Sequence, residues 1–137
     1  MIYEVYNKPE RIEIALLDEA ISFACDYLHV DIDVVLEFKK LKKHVCGFCD
    51  YEGDDVVITL SRRLNTNDVV RTLFHEMVHV KQHHDGRLVH GRPSMWMGVP
   101  HTEIYENLPW ELEAFDLENK MVELFSVDNY TSELSTT

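Results

Sequence analysis

His75, Glu76 and His79 occupy the first, second and fifth places of the run His75-Glu76-Met77-Val78-His79. If that run is helical, the two histidines lie one turn apart on one face, about 6 Å along the axis. Two imidazoles so placed can converge on one Zn²⁺, with Zn–N bonds of about 2.0–2.1 Å. The carboxylate beside the first imidazole then points toward a water on the ion and can take its proton. Apolar Leu73, Phe74, Met77, Val78 and Val80 bracket the three residues. Polar groups on or beside such a buried face are costly unless they have a partner or a role.

A catalytic zinc site generally keeps three protein ligands and one open position. His83 is one turn beyond His79, but three ligands in a near-linear row do not surround a tetrahedral ion. His84 and His101 fall in no pattern. That leaves His90, which precedes Gly91, and two glutamates in the segment Leu108-Pro109-Trp110-Glu111-Leu112-Glu113-Ala114-Phe115. Pro109 suits a first helical position, where proline is tolerated. Glu111 shares a face with Ala114, small enough to let this helix come close to the first. Glu113 is rotated from Glu111 by about 200°, at ~100° per residue, so only one of the two can face a metal. Acids in a first turn are also favoured by the helix dipole, which alone would account for both. On the residues alone, Glu111, Glu113 and His90 stay open as the third ligand.

The elements that must carry these residues follow from periodicity. Pro9 opens an amphipathic helix to about Leu28, and 32–38 is a strand. Strands 44–52 and 56–61 form a hairpin about Gly53-Asp54-Asp55. N-cap candidates at 65–68 open a second helix that runs to about His84 and contains His75 and His79. The stretch 85–108 reads as irregular. Pro109 starts the last helix, striped by Trp110, Ala114, Leu117, Met121 and Leu124. Residues 1–128 are expected to form one α+β domain, with a small, mostly antiparallel sheet packed on the His75–His79 helix and a C-terminal helix carrying the third ligand. A frayed tail is expected over 129–137.

Composition limits the partners. The 137 residues carry a formal net charge of −12, with 45% hydrophobic and 28% charged residues, values that suit one folded domain with a core. Nine acids and one lysine in residues 102–137 supply −8 of that charge. Such acidity opposes autonomous nucleic-acid binding and docking on anionic membranes. No secretory or membrane-spanning pattern is visible, and three cysteines, Cys25, Cys46 and Cys49, suit a reducing cytoplasm better than a disulfide scaffold. Cys46 and Cys49 form a CxxC, but strand alternation would put their sulfurs on opposite faces. Packing is the expected role, ahead of redox chemistry or a second metal site.

The run Thr72-Leu73-Phe74-His75-Glu76-Met77-Val78-His79-Val80-Lys81-Gln82 resembles the helix signature of small bacterial and phage-type zinc metallopeptidases of the zincin class. So do Met95-Trp96-Met97-Gly98 and Tyr105-Glu106-Asn107-Leu108-Pro109-Trp110-Glu111-Leu112-Glu113-Ala114, and the likeness spans residues 45–118. It implies a minimal zincin-like fold and hydrolysis of peptide or protein substrates through a zinc-activated water. Glu76 is then the general base, and His75 and His79 are ligands. Gluzincins take the third ligand from a following helix, which here implies Glu111 first and Glu113 second. SprT-like proteases, a related set, imply His90 in the loose match His90-Gly91-Arg92-Pro93-Ser94-Met95-Trp96. An Asp or Asn that often orients a ligating His is replaced by Phe115. The class also implies an edge strand that holds extended substrate, for which 56–60 is the expected choice, and Tyr105 is a weaker option for an oxyanion donor. A zinc-binding interaction protein without proteolytic activity is the alternative.

Overall fold

The computed structural model describes residues 2–52, 55–102 and 107–136. The chain runs β1 (Ile2–Tyr6), α1 (Ile14–Leu28), β2 (Val34–Lys39), β3 (Gly47–Glu52), β4 (Asp55–Ser61), α2 (Thr66–His84), β5 (Leu88–Val89), β6 (Ser94–Trp96), β7 (Val99–His101) and α3 (Pro109–Thr136). Its class is α+β, as expected. The first sheet has the order β1-β2-β4-β3, with β1–β2 and β2–β4 parallel and only β3–β4 antiparallel. This corrects the mostly antiparallel sheet that the hairpin suggested. The difference comes from β1, whose connection through α1 lays it parallel to β2, and from β3, which takes the outer edge and leaves β4 beside β2.

Alternation builds the core. Val34, Leu36 and Phe38 of β2 stand in register with Val56, Ile58 and Leu60 of β4, and all six are buried with the inner faces of the helices. The helices contribute Leu17, Ala20, Ile21 and Ala24 from α1, Leu73, Phe74 and Met77 from α2, and Ala114, Met121 and Phe125 from α3. Phe74 and Phe125 meet edge to face at 5.5 Å between centroids, part of the packing of α3 on α2.

Three boundaries depart from expectation. Helix α1 starts at Ile14 rather than Pro9, and residues 9–12 form a turn closed by Ile12 N–H to Pro9 O at 3.1 Å. The stretch read as irregular contains the antiparallel sheet β5-β6-β7. Met97 (φ 51°) and Gly98 (φ 83°) make its two-residue turn, joining the paired Trp96 and Val99. Positive φ at both central positions matches the twist of the strands, which is why a glycine stands there. Helix α3 is helical to Thr136, past the Asp128 at which the tail was expected to fray. Gly53 and Asp54 of the hairpin turn lie outside the described residues, as does Tyr105.

Candidate metal centre

Helix α2 is stopped and started by its own chemistry. The Asn65 side chain accepts from Asp68 N–H at 2.8 Å, capping the first turn, and His75, Glu76 and His79 follow in the third and fourth turns. Pro109 begins α3, and Leu108 O accepts from the amides of Glu111 and Leu112 at 3.0 Å each. The small sheet holds this end of α3. Trp96 of β6 lies 6.3 Å from the Trp110 ring, and Arg87 sits 5.1 Å over Trp96. Ala114, fully buried, lets α3 approach α2.

The two helices bring His75, His79 and Glu111 together. Glu111 Oε1 lies 2.9 Å from His75 Nε2 and 3.1 Å from His79 Nε2. Among the described residues, these three form the group of His, Cys, Asp and Glu side chains that could hold a metal ion, with donor atoms all within 4.8 Å of one another. Glu113 is not part of it. Its carboxylate pairs with Arg87 at 2.8 Å and accepts from Gln82 Nε2 at 3.2 Å. His90 is not part of it either, lying beside Tyr51 and His83 with ring centroids 6.1 and 6.0 Å away. His83 stacks on Tyr51 at 3.8 Å.

Behind each imidazole stands an acceptor. His75 Nδ1 donates to Glu118 Oε1 at 2.7 Å, and His79 Nδ1 donates to Gln82 Oε1 at 2.8 Å. The amide of Gln82 is oriented by its other end, which donates to Trp110 O at 2.9 Å as well as to Glu113. With both Nδ1 atoms committed as donors, a neutral imidazole has its lone pair on Nε2, aimed at a carboxylate oxygen that also only accepts. A cation must therefore lie among the three atoms. In the protein alone protons serve, one on each Nε2: burial opposes the charged form of His79 as it does that of His75, but the bond to Glu111 shifts His79 up as well. Burial pushes His75 down, but hydrogen bonds to Glu111 and Glu118 outweigh it and raise its pKa to about 9. Burial pushes Glu111 up, but the bonds from His75 and His79 hold it down at about 2. A divalent ion would satisfy all three donors at once, so the donor set fits one.

Glu118 and Gln82 were not singled out in the sequence. Glu118 is seven residues beyond Glu111 and therefore on the same face of α3, so helical period alone could have found it. It takes the orienting role looked for at Phe115, whose ring instead lies 4.6 Å from that of His75. Gln82, three residues after His79, is fully buried, a signal visible only in the folded chain.

Glu76 is 7% exposed, and burial raises its pKa against the opposing pull of His79 and His75. A carboxylate shifted that way is a stronger base than a solvated one. It lines a cavity of about 760 Å³ together with His75, His79 and Glu111. Strand β3 lines the same cavity through Gly47, Phe48, Cys49 and Tyr51, and Cys46 lines it from just before the strand. Tyr51 Oη donates to His79 O at 3.3 Å, tying β3 to the helix. The strand expected to hold substrate, 56–60, lies in β4, which is paired on both sides and has no free edge. The edge beside the cavity belongs to β3. Cys25, Cys46 and Cys49 are free thiols; Cys46 lies just before β3 and is exposed, Cys49 lies within it and is half-buried, and both residues line the cavity.

Comparison with protein-family models, curated proteins and solved structures gives no match.

Proposed function

We propose that this chain is a zinc-dependent metallopeptidase with a zincin-like organisation. The observation that carries the reading is the convergence of His75 Nε2, His79 Nε2 and Glu111 Oε1, each imidazole held from behind by a hydrogen-bond acceptor. Two imidazoles and one carboxylate form a ligand set typical of catalytic zinc, and nitrogen-rich sites of this kind suit zinc better than magnesium or calcium. When bound, zinc supplies Lewis acidity toward water and toward the carbonyl of a peptide bond.

The chain's own residues do the rest. Glu118 and Gln82 keep the imidazoles in the ligating tautomer. Glu76 takes the proton of the attacking water and passes it to the leaving amine. The free edge of β3 holds the peptide in extended form by adding it to the sheet. Three protein ligands opening on a cavity, with a carboxylate beside the first, favour catalysis over a merely structural zinc site, which would be closed by four ligands. The substrate is a peptide or protein. With a net charge of −12, nucleic acid is not a partner of the isolated chain. Among the described residues no helix is long and apolar enough to cross a membrane, and three free thiols fit a reducing compartment such as the cytoplasm.

Protein purified without chelator should contain about one zinc per chain by elemental analysis. Glu76→Gln should keep that zinc and lose at least about 10²-fold of its rate on an unstructured protein substrate. A folded chain that takes up no zinc overturns the reading, and full activity in Glu76→Gln removes Glu76 as the base.

A further inference from the structure

Arg71 lies on α2 one turn before His75 and, among the described residues lining the cavity, is the one with a fixed positive charge. The carboxylates on the same lining are Glu76, Glu111 and Glu118. Arg71 Nη1 makes both of its hydrogen bonds, to Glu118 Oε2 at 3.0 Å and Asn119 Oδ1 at 2.5 Å. Its side chain is 44% exposed. A guanidinium offers five donors in a planar fork suited to a carboxylate, and here one nitrogen carries the structural bonds. On a chain of net charge −12, an acidic ligand entering this cavity meets attraction at this point and repulsion at its neighbours.

Resting on the metallopeptidase reading, we propose that Arg71 binds a carboxylate of the substrate, so that the preferred peptides carry one about a residue from the bond that is cut. The placement agrees: Glu118 accepts from Arg71 Nη1 at 3.0 Å through one oxygen and from His75 Nδ1 at 2.7 Å through the other, so the guanidinium and the candidate ligand His75 stand on either side of a single carboxylate. Exposed Phe48 and Phe115, at the two sides of the cavity, offer an apolar surface to the side chain beside that carboxylate. The carboxylate is either the free end of a peptide or an acidic side chain within one.

The test uses zinc-loaded Glu76→Gln protein and calorimetric titration with benzoyl-Gly-Phe, benzoyl-Gly-Phe amide and benzoyl-Gly-Glu amide. The expected result is binding about tenfold or more tighter for a charged ligand than for the neutral amide. A gain confined to benzoyl-Gly-Phe assigns the terminal carboxylate, and a gain for the Glu amide assigns the side chain. Adding Arg71→Gln should bring the ratio to about one. Arg71→Lys, which keeps a cation beside Glu118, should lower it without abolishing it, and serves if the Gln variant does not load zinc. Equal binding of all three ligands to protein with Arg71 intact overturns the proposal, as does a ratio unchanged by either substitution. Failure to take up zinc overturns the metallopeptidase reading and this proposal with it; zinc uptake with equal binding overturns this proposal alone.

Discussion

Glu118 governs the site from behind His75, and its effect is separable from direct ligation. Glu118→Gln keeps the size and an acceptor but removes the charge that holds Nδ1–H, so zinc affinity should fall about 10–100-fold in competition with a chromogenic chelator. Glu111→Ala should cost more than Glu118→Gln in the same assay, and Glu113→Ala and His90→Ala less, because neither reaches the ligand atoms. At this scale the sequence was legible where spacing alone fixes geometry: His75 and His79 at i and i+4, and Glu111 on the Ala114 face. Gln82 was not, because its three partners, His79, Trp110 and Glu113, meet only after α3 docks. The thiols offer an independent check on the cavity wall. Burial pushes the Cys49 pKa up to about 12, so its thiol stays protonated through neutral and mildly alkaline pH. Alkylation at pH 8 followed by mass mapping should therefore label exposed Cys46 first and Cys49 only slowly, with Cys49 labelling rising as pH climbs toward its pKa or when the chain unfolds.

Among the elements, β3 is pressed close to both β4 and α2 at Gly47. A Cβ built at Gly47 would stand 2.6 Å from Thr59 O of β4 and 3.0 Å from Thr72 Cγ2 of α2. The first contact is with backbone of a fully paired strand, which cannot yield cheaply. Gly47→Ala should destabilise the fold by about 1–3 kcal/mol in urea titration and widen the gap between β3 and α2, lowering peptide turnover more than zinc content. Helix α2 and the hairpin were legible because a long apolar period and a glycine-bearing turn are local signals. Strand β1 escaped because its five residues, Ile2 to Tyr6, show no clean period of two, and its register with β2 shifts between Ile2 and Glu4. Strands β5 to β7 are two or three residues each, too short for any period to register. The identity of the free edge was beyond local reading, because whether β3 or β4 lies outermost depends on which of them β2 joins, and β2 joins β4.

For the molecule as a whole, the acids of residues 102–137 whose side chains are described divide into two populations. Glu111, Glu113 and Glu118 turn inward to His75, His79, Gln82, Arg87 and Arg71. Others stay on the wet side of α3, as Asp116 does in its exposed pair with Lys120 at 3.1 Å. Such surface pairs contribute little, whereas an ion shared by two helices binds the native state alone. Zinc at 100 times its dissociation constant should stabilise the fold by about 2.7 kcal/mol, and chelation should lower Tm by roughly 5–10 °C by calorimetry. An unchanged Tm would mean that the ion is not held jointly by α2 and α3.

Glu111 stands 36 residues beyond His75, with the whole β5–β7 sheet strung between them. An ion held by both would act as a removable cross-link across that span, with both imidazoles on one side and the carboxylate on the other. If the backbone were severed at the Met97–Gly98 turn, the two pieces would each carry an incomplete coordination sphere. Their reunion, already favoured by the apolar packing of α3 on α2, would then tighten as free metal concentration rises, making a chain split at that turn an ion-responsive pair of fragments.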